Sequence, residues 1–550
     1  MRFLLLSLAV CLSSLGVVIG PQVMAQHGGY DPTDEVRNAI ADLDVGPKDC
    51  PQWALSPLKN NVVKATGIPL NWDIHSGENI VWSVPLGSET YGNPIVANGK
   101  VYVGTNNGAG YLERYPSSID LGVLLCFDEA TGEFLWQHSS EKLPTGRVHD
   151  WPDQGICSAP LVDGNRLWFV SSRGEVICLD TEGFRDGVNN GPYQDEPNEN
   201  PDEADVIWKL DMMKQLGVSQ HNMCSCSITS AGRYLFVNTS NGVDEGHIVL
   251  PAAEAPSFLC LDRDTGEVLW TDNSPGSNVL HGQWSSPTYA VLGGQPQVIF
   301  GAGDGWVYSF DPEGDNGKSK LLWKFDCNPK ASRYRLSRAS DRNHIIGTPV
   351  IYDGLVFVAV GEDPEHGEGE GHLWCIDPNK RGDVSPTLVF NKSDVDTPIP
   401  HKRLQALEEE EGDFERANPN SAVVWHYVGE NPDEHETAMH RTCGSVAIKN
   451  DLLFIADFSG VFHCVNAKTG KAYWTYDMMS ECWASPLILN DWVFITNADG
   501  LVYIFKASTE MEILSEVSME TAIFTTPIVA NDTMFIANRN RLFAIRAAVE

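Results

Sequence analysis

Residues 260–270 read Cys260-Leu261-Asp262-Arg263-Asp264-Thr265-Gly266-Glu267-Val268-Leu269-Trp270. Two stretches align on it without a gap. They are Cys126-Phe127-Asp128 through Thr131-Gly132 to Trp136, and Cys464-Val465-Asn466 through Thr469-Gly470 to Trp474. Each copy is a strand ending on Asp or Asn, a Thr-Gly turn, and a second strand closing on Trp. The glycine accepts the positive φ that a tight hairpin needs. Another hairpin lies upstream of each copy. Pro94-Ile95-Val96-Ala97 turns at Asn98-Gly99, and Pro160-Leu161-Val162 turns at Asp163-Gly164. Alternating apolar residues around such dipeptides are a strong hairpin signal. Further inner hairpins start near Ile228, Pro287, Pro349, Val446, Pro486 and Pro527, which makes eight.

The closing strands count the same way. They carry Trp82, Trp136, Trp208, Trp270, Trp323, Trp425 and Trp474, with Ile513 in a degenerate seventh unit. Trp82 precedes the first inner hairpin, and the last unit, Pro527 to Arg546, stops after three strands. Residues Asn79 to Val84 are therefore expected to supply the missing outer strand and close the ring, which removes its open edges. The reading is an all-β chain: one eight-bladed β-propeller of four-stranded antiparallel blades over residues 79–550. It overrides the three or four domains that 550 residues suggest at about 150 per domain.

The spacing small residue–x–Asp–x–x–Thr–Gly–x–x–x–Trp resembles the tryptophan-docking motif of the pyrroloquinoline quinone (PQQ) propeller family. That family includes quinoprotein alcohol and glucose dehydrogenases and the non-enzymatic outer-membrane assembly lipoprotein BamB. The resemblance implies the fold over roughly residues 79–550. It leaves the chemistry open, because function lives in sites rather than folds.

Around the repeat lie four other segments. Arg2 followed by the apolar run Phe3 to Ile19 and by Val23-Met24-Ala25 reads as a secretory signal, residues 1–25, with lipidation at Cys11 a weaker reading. Residues 26–78 form an extension expected to pack on the propeller, with a helix within Asp31 to Leu43 and with Trp53 and Trp72 pinning it to the outside. Insertions at 182–206 and 379–421 read as solvated loops, the second with a short surface helix near Glu408 to Glu411. Lys and Arg number 38 against 74 Asp and Glu, a net charge of −36. Such a surface repels phosphate backbones, so nucleic acid is not an expected partner. A secreted or periplasmic monomer, soluble after signal cleavage, is the expectation.

Cys126, Cys178, Cys260, Cys375 and Cys464 share one blade position and are read as buried small residues. Cys157 with Cys224 or Cys226, and Cys443 with Cys482, come from adjacent blades, so cross-blade disulfides there stay open, as does any pairing of Cys50 or Cys327. The loops entering the inner strands are richly furnished. His149, His221, His281, His344 and His440 fall in five consecutive blades, each a few residues before the inner strand. Histidine can transfer protons near neutral pH and ligate metals. The metal candidates are His221, His281, His344 and His440, as pairs His221/His281 or His344/His440. His366, in an acidic turn, is a weaker one.

For PQQ, which the resemblance implies, Trp284 or Trp483 would stack on the ring and Arg441 or Arg342 would pair with a carboxylate, with calcium held by oxygen ligands. The dehydrogenases' adjacent-cysteine disulfide is missing, since Ser225 separates Cys224 from Cys226, and no Cys-x-x-Cys-His haem site occurs. The expectation is a non-catalytic scaffold of the BamB-like type, binding a small molecule or a protein at the axial channel mouth. The alternatives are a PQQ- and calcium-dependent dehydrogenase oxidising an alcohol or sugar, and a metal-dependent hydrolase or lyase at the histidine loops.

Overall fold

The structure is a computed structural model. It describes residues 29–329, 343–362, 365, 369–400, 402 and 407–548. The signal segment, Cys11, Arg342 and His366 lie outside the described residues.

Eight antiparallel sheets form the blades of the propeller. Blade one runs Ile95–Ala97, Lys100–Asn106, Leu121–Asp128, Phe134–Glu141, and the same up-and-down order recurs through blade seven. In blade eight the third strand, Arg541–Ile545, pairs antiparallel with Ile80–Pro85, so the amino-terminal strand does close the ring. The repeat residues explain the register. Cys126, Cys178, Cys260, Cys375 and Cys464 stand directly opposite Trp136, Trp208, Trp270, Trp425 and Trp474. Ser309 faces Trp323 and Ala544 faces Trp82. A small side chain there leaves room for the indole. Cys157, Cys224, Cys226 and Cys482 are free thiols, so neither cross-blade disulfide forms.

The turn chemistry couples one blade to the next. Asp262 Oδ1 accepts the Asp264 and Thr265 amides and the Thr265 hydroxyl, which closes the hairpin. Gly266 (φ +71°) then lies flat against Trp208 of the preceding blade; a Cβ on it would come within 2.5 Å of the indole. The indole Nε1 of Trp136 donates to Thr181 O, that of Trp270 to Pro312 O, and that of Trp425 to Ala467 O, at 2.9–3.1 Å, each on the next blade.

The extension departs from expectation. Its helix is only Thr33–Asn38. Beyond it, residues 50–63 are buried against the innermost strands rather than the outside of the ring. Cys50 pairs with Val96 of blade one, Pro51 O accepts the Val162 amide of blade two, and Pro57 O the Tyr289 amide of blade four. Val62–Val63 adds a parallel strand to blade seven. The edges of the short inner strands have unpaired amides, and this segment satisfies them. Trp53 thus lies beneath the axis, while Trp72 Nε1 lies 3.0 Å from Sδ of Met519, which follows the outer strand of blade seven, Ile513–Ser518. In the 379–421 insertion the expected helix is a single 3₁₀ turn, Glu409–Glu411, beside a hairpin of Thr387–Asn391 and Asp413–Ala417.

The same segment buries a lysine. Lys59 is 1% exposed, and its Nζ donates to Gln52 Oε1 at 3.2 Å. Burial pulls its ammonium down to about 7. The unfolded chain keeps this proton up to about pH 10, so folding is disfavoured most below pH 7 and regains stability as pH rises from there towards 10. Lys59→Met is expected to melt at a higher temperature than the parent at pH 7, with the difference shrinking by pH 10. Thermal melts at both pH values check it, and a pH-independent difference would contradict it.

Candidate functional site

The residue just before each inner strand builds the floor of an axial cavity. Side-chain oxygens there accept backbone amides of the preceding blade. Ala159 N donates to Ser227 Oγ, Ser227 N to Ser286 Oγ, Ser445 N to Ser485 Oγ, Ser485 N to Thr526 Oγ1, and Thr526 N to Asn93 Oδ1, at 2.6–3.0 Å. Above this ring lies a cavity of about 390 Å³ walled by aromatic rings, among them Tyr91, Trp151, Trp284, Trp483 and Phe524. Trp53 of the extension also lines it. Among the described residues, neither lysine nor arginine does.

At the rim, blades three and four bring three imidazoles together. His221 precedes the inner strand of blade three and His281 that of blade four. His247 sits between the second and third strands of blade three, Tyr234–Asn238 and Phe258–Asp262. Ring centroids are 4.5 Å apart for His221/His281, 5.0 Å for His221/His247 and 4.6 Å for His247/His281. One nitrogen from each lies within 4.8 Å of the others. His221 Nδ1 is 2.8 Å from Val243 O. A carbonyl can only accept, so Nδ1 carries the proton and Nε2 keeps its lone pair. This orientation by a backbone carbonyl is the usual support of a metal-bound histidine. Glu365, between the second and third strands of blade five, puts Oε2 3.8 Å from Nε2 of both His247 and His281.

This donor set suits a particular class of ion. Imidazole with one carboxylate matches zinc, copper, iron or nickel, whereas calcium prefers oxygen ligands throughout. The site also has two open sides. His281 and Glu365 line the axial cavity, and His221, His247 and Glu365 line a polar pocket of about 340 Å³.

The other expected residues are spread around the mouth. Trp284 lies 5.1 Å from the His281 ring and 5.6 Å from that of His344, and its Nε1 donates to His221 O. His344 pairs through its backbone with Gly361, and its ring is 5.7 Å from His281, outside the three-histidine group. His440 is engaged elsewhere: its Nδ1 is 2.8 Å from Asp457 Oδ2, and the His435 ring lies 4.5 Å away at a tilt of 46°. Burial would raise the Asp457 carboxyl, but hydrogen bonds from His440 and His463 hold it down to about 2. His149 bonds Thr145 and Ser219. Trp483 packs edge-on to Tyr91 and Phe458 across the cavity. Arg441 is buried and stacks on Phe458 at 4.6 Å.

Residues 410–549 match the family model of the outer membrane protein assembly factor BamB. The match covers the last part of the ring, from the closing strand of blade five through blade eight. No curated protein matches the chain. Among solved structures, BamB from Moraxella catarrhalis is 14% identical, covering 86% of this chain and 98% of its own, with a TM-score of 0.47. A europium-containing methanol dehydrogenase is 10% identical, covering 94% and 100%, at 0.45. The quinohemoprotein alcohol dehydrogenase from Comamonas testosteroni is 11% identical, covering 94% and 84%, at 0.46.

Against the chemistry of PQQ the axial cavity fits in part. Trp284 and Trp483 both line the cavity and supply aromatic surface for a flat ring. The described cavity wall supplies no cation for three carboxylates, and the rim offers imidazoles where calcium needs oxygens. Cys224 and Cys226 are separate buried thiols. The described residues suit the cofactor's ring but neither its carboxylates nor its metal.

The sequence reading missed His247, Glu365 and Arg147, which lies 3.7 Å from Glu365. In an up-and-down blade the loop between strands two and three opens on the same face as the loop entering strand one. His247 and Glu365 both come from such loops, and a search confined to the entering loops passes over them.

Proposed function

We propose that the chain is a secreted or periplasmic PQQ-repeat propeller that works through a transition-metal site of the zinc or copper class. The ligands are His221, His247 and His281, with Glu365 as the fourth or as the group beside an open position. The convergence of three histidine nitrogens within 4.8 Å at the rim of the aromatic cavity carries this reading. An ion held by these three histidines would supply Lewis acidity and a bound water that ionises near neutral pH. The protein's part is to orient the imidazoles, as Val243 O does for His221, and to set the ion between two cavities. The tryptophan-docking repeat serves as scaffold. Among the described residues no helix is long and apolar enough to cross a membrane.

The BamB family match favours a second reading, in which this rim docks a protein partner and the metal site is structural. Calorimetry on the purified protein tests the main reading. Zinc is expected to bind near one per chain at sub-micromolar affinity, while PQQ with calcium gives no saturable heat. Absence of zinc binding by folded protein would overturn the proposal, and calcium-dependent PQQ binding would restore the dehydrogenase.

A further inference from the structure

The polar pocket above the three histidines has its own chemistry. It holds about 340 Å³ and is walled by Arg147, His221, Asn222, Glu245, His247 and Glu365, with Val148 its one apolar residue. Arg147 comes from the short turn Gly146–Val148 between blades one and two. Its guanidinium stacks on Trp151 at 3.7 Å, which fixes the plane of the fork. Its Nη2 is 3.7 Å from Glu365 Oε1, an ion pair beyond hydrogen-bond reach. Among the residues that wall the pocket, the guanidinium is the permanent positive charge, set against the carboxylates of Glu365 and Glu245.

We propose that this pocket takes a small oxyanion, a carboxylate or a phosphate, held between Arg147 and the metal. The inference rests on the metal reading above. Three neutral imidazoles and one carboxylate leave a divalent ion with a net positive charge, which an anionic ligand balances. Arg147 presents N–H donors in the planar geometry that matches carboxylate and phosphate oxygens. Glu245, exposed on the same wall, opposes a second negative charge. A monoanionic carboxylate is thus expected to bind more tightly than phosphate dianion at pH 8. Asn222 lines both this pocket and the axial cavity, so the two adjoin at that residue.

Cobalt(II) replaces zinc as the probe, because its visible absorption reports changes at the ion. The cobalt-loaded protein is titrated with acetate and with inorganic phosphate. The expected result is a saturable spectral change for both, tighter for acetate. Arg147→Ala should still take up one cobalt but bind acetate roughly tenfold to hundredfold more weakly. Arg147→Lys, which keeps the charge and loses the fork, should fall between the two. If cobalt binds and neither anion alters the spectrum, the oxyanion inference fails while the metal reading stands. Equal acetate affinity in Arg147→Ala also overturns the inference, since the ion alone would then hold the anion. If cobalt does not bind at all, the metal reading fails and this inference falls with it.

Discussion

A protein carrying both His221→Ala and His281→Ala is expected to bind zinc on the order of 100-fold more weakly than the parent, or more. The two rings face each other at 4.5 Å and supply two of the three nitrogens, so one remaining imidazole and a carboxylate cannot hold the ion. Both histidines are 1% exposed, so their loss also leaves small voids. His247→Ala and His247→Gln together separate the two effects. The side chain is 14% exposed and packs on both other rings, so alanine loses packing and a ligand, while glutamine keeps most of the volume and should still show a clear fall in zinc affinity. His440→Ala is the contrasting case. Its ring is tied to Asp457, so that variant keeps full zinc affinity even if its stability drops. Calorimetric titration with a thermal melt of each variant checks the set. A His440 variant that loses zinc, or a His221/His281 variant that keeps it, would move the site elsewhere.

The second large effect falls on the scaffold. Trp270→Ala is expected to cost about 3–5 kcal/mol, the range for removing a large buried aromatic ring. Trp270 is 1% exposed, faces Cys260 across its own blade, and packs beside Phe236 and Phe310. Its Nε1 bond to Pro312 O fastens blade three to blade four, which are the blades that carry His221, His247 and His281. Zinc affinity should therefore weaken along with stability. Trp270→Phe refills part of the volume and loses only the hydrogen bond, so it should cost distinctly less. Denaturant unfolding of both variants gives the comparison, and equal losses would show that packing of the ring contributes little.

The propeller was legible because one hairpin chemistry repeats. Asp262, Thr265, Gly266 and Trp270 each have a separate physical job in the same turn, and that combination recurs only where blades stack. Even the closure could be read, because Trp82 stands alone ahead of the first hairpin and its place opposite Ala544 was the one left vacant. The cysteines opposite the tryptophans followed from the same spacing. The extension was not legible. Trp53 carries no periodic signal, and the need it answers, the unpaired amides of inner strands such as Val162 and Tyr289, arises only once the ring exists.

The candidate site divides the same way. His221 and His281 could be picked out because they stand in phase with the inner strands of neighbouring blades. His344 and His440 share that phase but stand outside the three-histidine group, His344 beside His281 and Trp284 and His440 on Asp457, because phase fixes where a loop starts and not where its side chain points. His247 and Glu365 lie in loops of irregular length, and their approach to His281 depends on how far each loop reaches over the mouth. The hydroxyl ring below them was written in the sequence as the Ser, Thr or Asn that precedes Pro287, Pro349, Pro486, Pro527 and Pro94. Its meaning appears only when adjacent blades meet.

The most direct measurement is anomalous X-ray scattering at the zinc edge from crystals of the zinc-loaded protein. The account predicts one strong peak enclosed by His221, His247 and His281, with Glu365 on its open side. Zinc-loaded crystals with no peak there, or with the peak at another cluster, would contradict it.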